Sequence, residues 1–143
     1  MDEGTKCGSG NLDDIVYEFI ERIRDHLESK CIKDVSTNDL MRELQALTPL
    51  LRTVLSKWVP EIIYTLYIKG GTNFNELKRI LSISSRVLSD KLEILEEKGI
   101  VTRNIDSKSK PPKVRYGLTS LGRELGLALV PLLTVIKREL SSE

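Results

Sequence analysis

Apolar residues recur along this chain at steps of three and four, and the places where that rhythm stops mark its elements. Leu12, Ile15, Val16, Phe19, Ile20, Ile23 and Leu27 share one stripe, with Asp14, Glu18, Glu21, Arg22, Asp25 and Glu28 around it. That pattern predicts an amphipathic helix, and Asp13 and Asp14 suit the positive end of its dipole. Before it, residues 1–10 hold three glycines and no periodicity, as in a mobile tail. Ser36 opens a second helix, with Asp39 three residues later in a variant of the capping box. Leu40, Met41, Leu44 and Leu47 form its expected buried face. Thr48–Pro49 predicts an interruption, because the residue before a proline avoids helical geometry. Pro49 then opens a further segment with Leu50, Leu51, Val54 and Leu55 inward.

Pro60 stands at the start of the next apolar run, Ile62, Ile63, Leu66 and Tyr67, which Gly70–Gly71 ends. Asn73–Phe74 predicts a brief strand, and Asn75 the cap of a short helix from Glu76 to Leu81. Ser82 or Ser84 caps a helix reaching about Lys98, with Val87, Leu88, Leu92 and Leu95 on its core face and Gly99 as its left-handed stop. Ile100–Ile105 and Val114–Leu118 alternate as two strands, joined by the polar loop Asp106–Pro112. Thr119 caps a long last helix carrying Leu121, Leu125, Leu129, Leu132, Leu133, Ile136 and Leu140, with a kink expected at Pro131.

From Trp58 onward the order is helix, short helix, helix, hairpin, helix, which is that of a winged helix-turn-helix. The chain is therefore expected to be mainly α with a small β-hairpin, extra N-terminal helices and a long C-terminal helix. Four segments follow: the tail 1–10, a helical extension 11–47 for dimerisation or partner docking, the winged helix-turn-helix 48–120, and a dimerisation helix 121–143. Trp58, the only tryptophan, begins an apolar helix and reads as a core or dimer anchor, with ligand stacking as the alternative.

Composition narrows the function classes. With 143 residues, 40% hydrophobic and 30% charged, the chain has the make-up of a soluble globular domain. No apolar run approaches the roughly 20 residues of a membrane span, so a cytoplasmic protein without a membrane partner is expected. The net charge of +1 conceals an asymmetry. Residues 1–47 carry 6 Lys and Arg against 11 Asp and Glu, whereas residues 48–143 carry 16 against 10. A basic working face on the C-terminal part is the reading, uneven scatter the alternative. Cys7, Cys31 and the single His26 are too few and too dispersed for a disulfide framework or a zinc site. No phosphate loop, paired nucleophile and base, or metal cluster is visible, so neither an enzyme nor a cofactor is expected.

The basic face has two candidate parts. The helix after Ser84 offers Ser84, Ser85, Arg86, Ser89, Asp90 and Lys91 on its first turns and Glu93, Glu96 and Glu97 later. Recognition helices meet base edges with their N-terminal residues, so Arg86 is the candidate for a guanine contact. Ser84 or Ser85 is placed to receive a phosphate at the helix start. The other part is the hairpin, where Arg103, Lys108, Lys110, Lys113 and Arg115 face one acid, Asp106. Such a cluster suits phosphates or a narrow minor groove. Lys78 and Arg79 on the preceding helix are candidates for the flanking backbone. An ordinary capped surface helix and a solvated turn are the plain alternatives, and Tyr116 reads as sheet packing.

These pieces resemble the HxlR-type winged-helix regulators, relatives of the MarR and PadR groups. The resemblance rests on Lys57–Trp58, Phe74–Asn75–Glu76–Leu77, Ile83–Ser84, Leu88, Lys91–Leu92, Leu95–Glu96–Glu97, Gly99–Ile100–Val101, Pro111–Pro112–Lys113–Val114–Arg115–Tyr116, Leu118–Thr119 and Leu121–Gly122–Arg123–Glu124–Leu125. It implies a homodimer on an inverted repeat of double-stranded DNA, with helix 84–98 in the major groove and wing 103–115 at the minor groove. Ile15, Phe19 and Ile23 at one end and Leu125, Leu129, Leu132 and Ile136 at the other are then the dimer candidates. Many members carry a redox cysteine before the Lys-Trp pair, where this chain has Leu44–Gln45–Ala46. Cys7 and Cys31 lie farther upstream, so redox control by them competes with two inert thiols. The resulting expectation is a dimeric, sequence-specific transcription regulator, a repressor because bound dimers occlude promoters. A protein-interaction module and a sequence-indifferent architectural protein are the alternatives. The sequence names no effector.

Overall fold

Capping and stop residues set most element boundaries, and the exceptions are instructive. The computed structural model describes residues 11–29 and 34–143, so the predicted tail and both cysteines lie outside the described residues. Helix α1 spans Leu12–Ser29. Helix α2 spans Thr37–Val54 and starts as its serine dictates. The Ser36 hydroxyl accepts the Asp39 N–H at 3.1 Å and donates to Asp39 Oδ2 at 2.7 Å. The reaching carboxylate thus meets the hydroxyl of Ser36. The predicted break at Pro49 does not occur: α2 runs through it. A proline removes one intrahelical N–H, here the one facing the Gln45 carbonyl. The adjoining turn closes regardless, with the Thr53 hydroxyl donating to the Pro49 carbonyl at 3.2 Å.

Helix α3 (Val59–Lys69) has Pro60 in its first turn, and Gly70 ends it with φ of 74° and its N–H on the Leu66 carbonyl. Its N-cap is Trp58, itself left-handed at φ 74° and without a side-chain cap bond, a conformation that costs a bulky residue on the order of 1–3 kcal/mol. Helix α4 (Phe74–Leu81) begins earlier than expected, because Asn73 rather than Asn75 caps it. The strand expected at Asn73–Phe74 shrinks to a single bridge between Thr72 and Tyr116. Helix α5 (Ser85–Glu97) is capped by Ser84, while Ser82 closes α4 in the left-handed region at φ 53°. Strands β1 (Val101–Asp106) and β2 (Lys113–Leu118) pair antiparallel from Val101↔Leu118 to Asp106↔Lys113. Helix α6 (Ser120–Ser141) continues past Pro131, capped by Thr119, whose hydroxyl oxygen accepts the Gly122 N–H at 3.0 Å. None of the described helices is long and apolar enough to cross a membrane.

The chain divides into two units, one of Ala46–Val130 and one combining the residues up to Gln45 with Pro131–Glu143. In the first, Val59, Ile62, Ile63, Leu77, Leu88, Leu95 and Ile100 are fully buried, each contributing about 1.5–3 kcal/mol by leaving water. Two glycines of α6 let it pack closely in this unit. A Cβ at Gly126 would lie 2.9 Å from the Tyr67 ring, and one at Gly122 would overlap the Ile100 carbonyl and sit 3.0 Å from Leu118 Cδ2.

The other unit is different. Among its described residues only Val16 and Thr134 are buried, and the Arg138 guanidinium stacks 4.4 Å from the centre of the Tyr17 ring. The expected buried face of α2 is open, with Leu40, Met41, Leu44 and Leu47 at 47–53% exposure.

Gly122→Ala is expected to lower the stability of the Ala46–Val130 unit by about 1–3 kcal/mol through overpacking against backbone. Urea unfolding followed by tryptophan fluorescence checks this, and an unchanged midpoint would contradict the close packing of α6.

Candidate nucleic-acid interface

The helix-turn-helix is formed by α4, the turn Ser82–Ser84 and α5. Leu77 at 0% and Ile83 at 8% exposure anchor the short helix and the turn, while the Leu88, Leu92 and Leu95 face of α5 is buried. That burial turns the opposite face outward: Ser85, Arg86, Ser89 and Asp90 are exposed and Lys91 half-buried. Ser84 commits its side-chain oxygen to the Val87 N–H at 3.2 Å. The free N–H groups of the first helical turn therefore begin at Ser85 and Arg86. On α4, Lys78 and Arg79 are exposed in the last turn, where the helix dipole favours cations.

The hairpin register sorts the five wing cations. Alternation along strands places Arg103 beside Val101 and Ile105, opposite Tyr116, and places Lys113 and Arg115 on the other face with Thr102 and Asn104. Lys108 and Lys110 occupy the tip. Asp106 does not neutralise them through an ion pair. Its Oδ2 accepts the Ser109 hydroxyl at 2.9 Å and its Oδ1 the Lys108 N–H at 3.0 Å. Those two bonds, with Ser109 the stronger influence, hold its carboxyl below the usual range. The acid thus builds the turn that displays the lysines.

Arg115 is the exception among the cations. Its guanidinium donates to the Gly71 carbonyl at 3.1 Å. Beside it, Thr72 and Tyr116 exchange backbone hydrogen bonds of 2.9 and 2.7 Å. Glu76 completes this junction: it pairs with Lys69 Nζ at 2.7 Å and accepts the Thr72 hydroxyl, while Asn73 Oδ1 takes the Glu76 N–H at 2.9 Å. The Lys69 ammonium, then the Thr72 hydroxyl, hold the Glu76 carboxyl below its ordinary value. A cavity of about 590 Å³ opens here between Asn73, Phe74 and Asn75 on α4 and Lys113, Val114 and Arg115 on β2. The sequence reading missed this junction. Its one legible signal was Asn73-x-x-Glu76, a capping-box spacing; the pairing with Tyr116, 44 residues downstream of Thr72, left no local mark.

Elsewhere in this unit, Lys78, Arg79, Arg86, Lys91, Arg103, Lys108, Lys110 and Lys113 form no side-chain hydrogen bond or ion pair with the described residues. In the N-terminal helices the reverse holds, with Arg22, Arg24 and Arg42 pairing with Glu18, Glu21 and Asp39. Among the described residues no cluster of His, Cys, Asp and Glu is placed to hold a metal ion.

Residues 53–143 match the HxlR-like helix-turn-helix family. The chain belongs to that family. It is 37% identical over 87 residues to the uncharacterised HTH-type transcriptional regulator YvaP of Bacillus subtilis (strain 168), covering 59% of this chain and 75% of YvaP. It is 42% identical over 76 residues to a second such regulator of that organism, YybR, covering 52% of this chain and 59% of YybR. Among solved structures it is similar to the redox regulator HypR in its oxidised form, with a TM-score of 0.55 and 35% identity over 68% of this chain and 96% of that one. This HxlR-like protein is therefore a DNA-binding transcription regulator of the winged-helix type, and its relatives and fold are those of regulators rather than enzymes. The family match begins at residue 53, leaving α1 and nearly all of α2 outside it.

Because the Glu76 carboxyl is depressed in the folded state, its stabilisation is present above the unfolded glutamate value and is lost as pH falls through the folded one. Glu76→Gln is thus expected to be less stable than the native chain at pH 7, with the gap closing in acid below pH 4.5. Denaturant titrations at several pH values test it; a gap that persists unchanged in acid would assign the effect to shape rather than charge.

Proposed function

We propose that this chain acts as a homodimer that recognises an inverted repeat in double-stranded DNA and represses transcription by occluding the promoter. The observation that carries the reading is the row of basic side chains on α4, α5 and the hairpin that form no ion pair within 4 Å among the described residues. Folding leaves them without a close ion-pair partner among the described residues, and phosphates supply one while counterions are released. In this reading the first turns of α5 enter the major groove, with Arg86 on a guanine edge and Ser85, Ser89 and Lys91 beside it. The N–H groups at the start of that helix, set by the Ser84 cap, take a phosphate. Lys78 and Arg79 hold the flanking backbone. Arg103, Lys108, Lys110 and Lys113 bring the wing to the minor groove, and Arg115 divides its donors between Gly71 and the DNA.

Dimerisation uses the exposed stripes. Ile15, Phe19 and Ile23 on α1 and Leu132 and Ile136 on α6 are 43–55% exposed and supply the apolar contact. Leu125 is half-buried and Leu129 is 6% exposed within the chain, so these two support the interface from behind. Two-fold symmetry then sets the recognition helices about 34–36 Å apart, one turn of B-DNA.

Fluorescence anisotropy on the duplex upstream of the protein's own gene, against a scrambled duplex and over a range of salt, tests the reading. Preference by roughly 10³-fold or more is expected; equal binding to both duplexes, or none at low salt, would overturn it. Arg86→Ala is expected to weaken the preferred site selectively, by about 1–3 kcal/mol, and uniform weakening across sequences would remove it from base reading. Neutralising Lys108 and Lys110 together is expected to lower affinity on every duplex and to flatten the salt dependence by about two units of slope. An unchanged slope would take the wing tip out of the interface.

A further inference from the structure

Glu76 stands where a carboxylate ought to oppose DNA binding. It lies on α4 one turn before Arg79, and its neighbour Asn75 lines the cavity shared with Lys113 and Arg115. A negative charge beside phosphates is repulsive. A purely surface role therefore predicts that neutralising Glu76 tightens binding, the more so because Lys69 would be released as a further cation. Exposed ion pairs contribute little, and the Lys69 side chain is 44% exposed.

The contacts of Glu76 are not those of a simple surface acid. Its carboxylate takes the Lys69 ammonium of α3 at 2.7 Å and also accepts the Thr72 hydroxyl, while its N–H is fixed by Asn73 Oδ1 at 2.9 Å. Thr72 is buried, and its backbone forms the one β-bridge outside the hairpin among the described residues, to Tyr116. The Arg115 guanidinium reaches the adjoining Gly71 carbonyl at 3.1 Å. Both ties therefore fall on neighbouring residues of β2, at the root of the wing. Lys110 is six residues farther out, which at about 3.3 Å per residue is up to roughly 20 Å. A tilt of about 10° at the root then carries the tip about 3 Å, enough to turn a direct phosphate contact into a water-separated one. A two-stranded ribbon is too marginal to resist such a tilt by itself.

We propose that Glu76 is a positioning residue for DNA binding. By holding the Thr72 hydroxyl and the Lys69 ammonium together it fixes the edge on which the wing pairs, and so strengthens the grip of Lys108 and Lys110 although its own charge opposes phosphate. The assignment rests on the wing contact in the DNA-binding reading and adds to it a residue that touches no DNA.

The test measures anisotropy on the upstream duplex over a range of salt, at a temperature where circular dichroism shows every variant folded. Glu76→Gln removes the charge, and Thr72→Val removes the hydroxyl at constant charge. Each is made in the native chain and in a Lys108→Gln/Lys110→Gln chain. Both variants are expected to bind about fivefold or more weakly in the native chain and less than about twofold more weakly in the wing-neutralised one, since residues acting through one element are not additive. Their salt slopes are expected to flatten toward that of the wing-neutralised chain. Native or tighter binding by either variant would overturn the assignment, as would equal weakening in both backgrounds, which places the effect outside the wing. If Lys108→Gln/Lys110→Gln alone changes neither affinity nor slope, the wing contact itself fails, and the positioning role with it.

Discussion

The hairpin of this protein stands in position because of one short piece of antiparallel pairing. Thr72 gives its N–H to the Tyr116 carbonyl and takes the Tyr116 N–H in return. A two-stranded ribbon is marginal in water by itself, and this exchange makes the segment after α3 a third edge for it. Gly71 is required at that point: its φ is 118°, and a Cβ there would lie 3.3 Å from the Tyr116 carbonyl oxygen. The Arg115 bond to the Gly71 carbonyl and the Glu76 contacts to Thr72 and Lys69 surround the same spot. Polar groups from α3, α4 and β2 thus meet where the wing joins the helices, and the wing cations inherit their placement from that junction.

The second organising fact is how charge is used on the two sides of the chain. Arginines of the N-terminal helices are spent on neighbours one turn away, Arg22 on Glu18 and Arg24 on Glu21, which lends the helices a few tenths of a kcal/mol each. Around α4 and the hairpin two acids are instead occupied by structural work. Asp106 shapes the hairpin loop, and Glu76, paired with Lys69 at 2.7 Å, ties the wing junction.

The two units also differ in how far each meets its own burial needs. The Ala46–Val130 unit closes a core within one chain, with Leu95 of α5 and Ile100 just before β1 fully buried in it. The N-terminal unit repeats the same amphipathic grammar without closing.

Element identity was legible in this sequence wherever the deciding interaction is local. Ser36, Ser84 and Thr119 cap the helices they precede, Gly70 and Gly99 stop theirs, and strand alternation located both arms of the hairpin. The cations on α4, α5 and the wing were legible as candidates for the same reason, because clustering along the chain is itself the signal, and all but the half-buried Lys91 are exposed. The sequence misled where a local rule was outweighed. Pro49 removes one rung, and the remaining turns of α2 carry the helix past it. Asn73 and Asn75 are both competent caps, and only the pairing of Thr72 with Tyr116 selects the first. What tertiary structure alone decided was which apolar stripes are buried and which polar groups are occupied. Periodicity marks a face as apolar without naming what covers it, so Leu40 and Leu88 look alike in sequence although one is 47% exposed and the other fully buried. Likewise nothing local marks Arg115 as the wing cation bound to the Gly71 carbonyl, because that bond is made to a backbone 44 residues away.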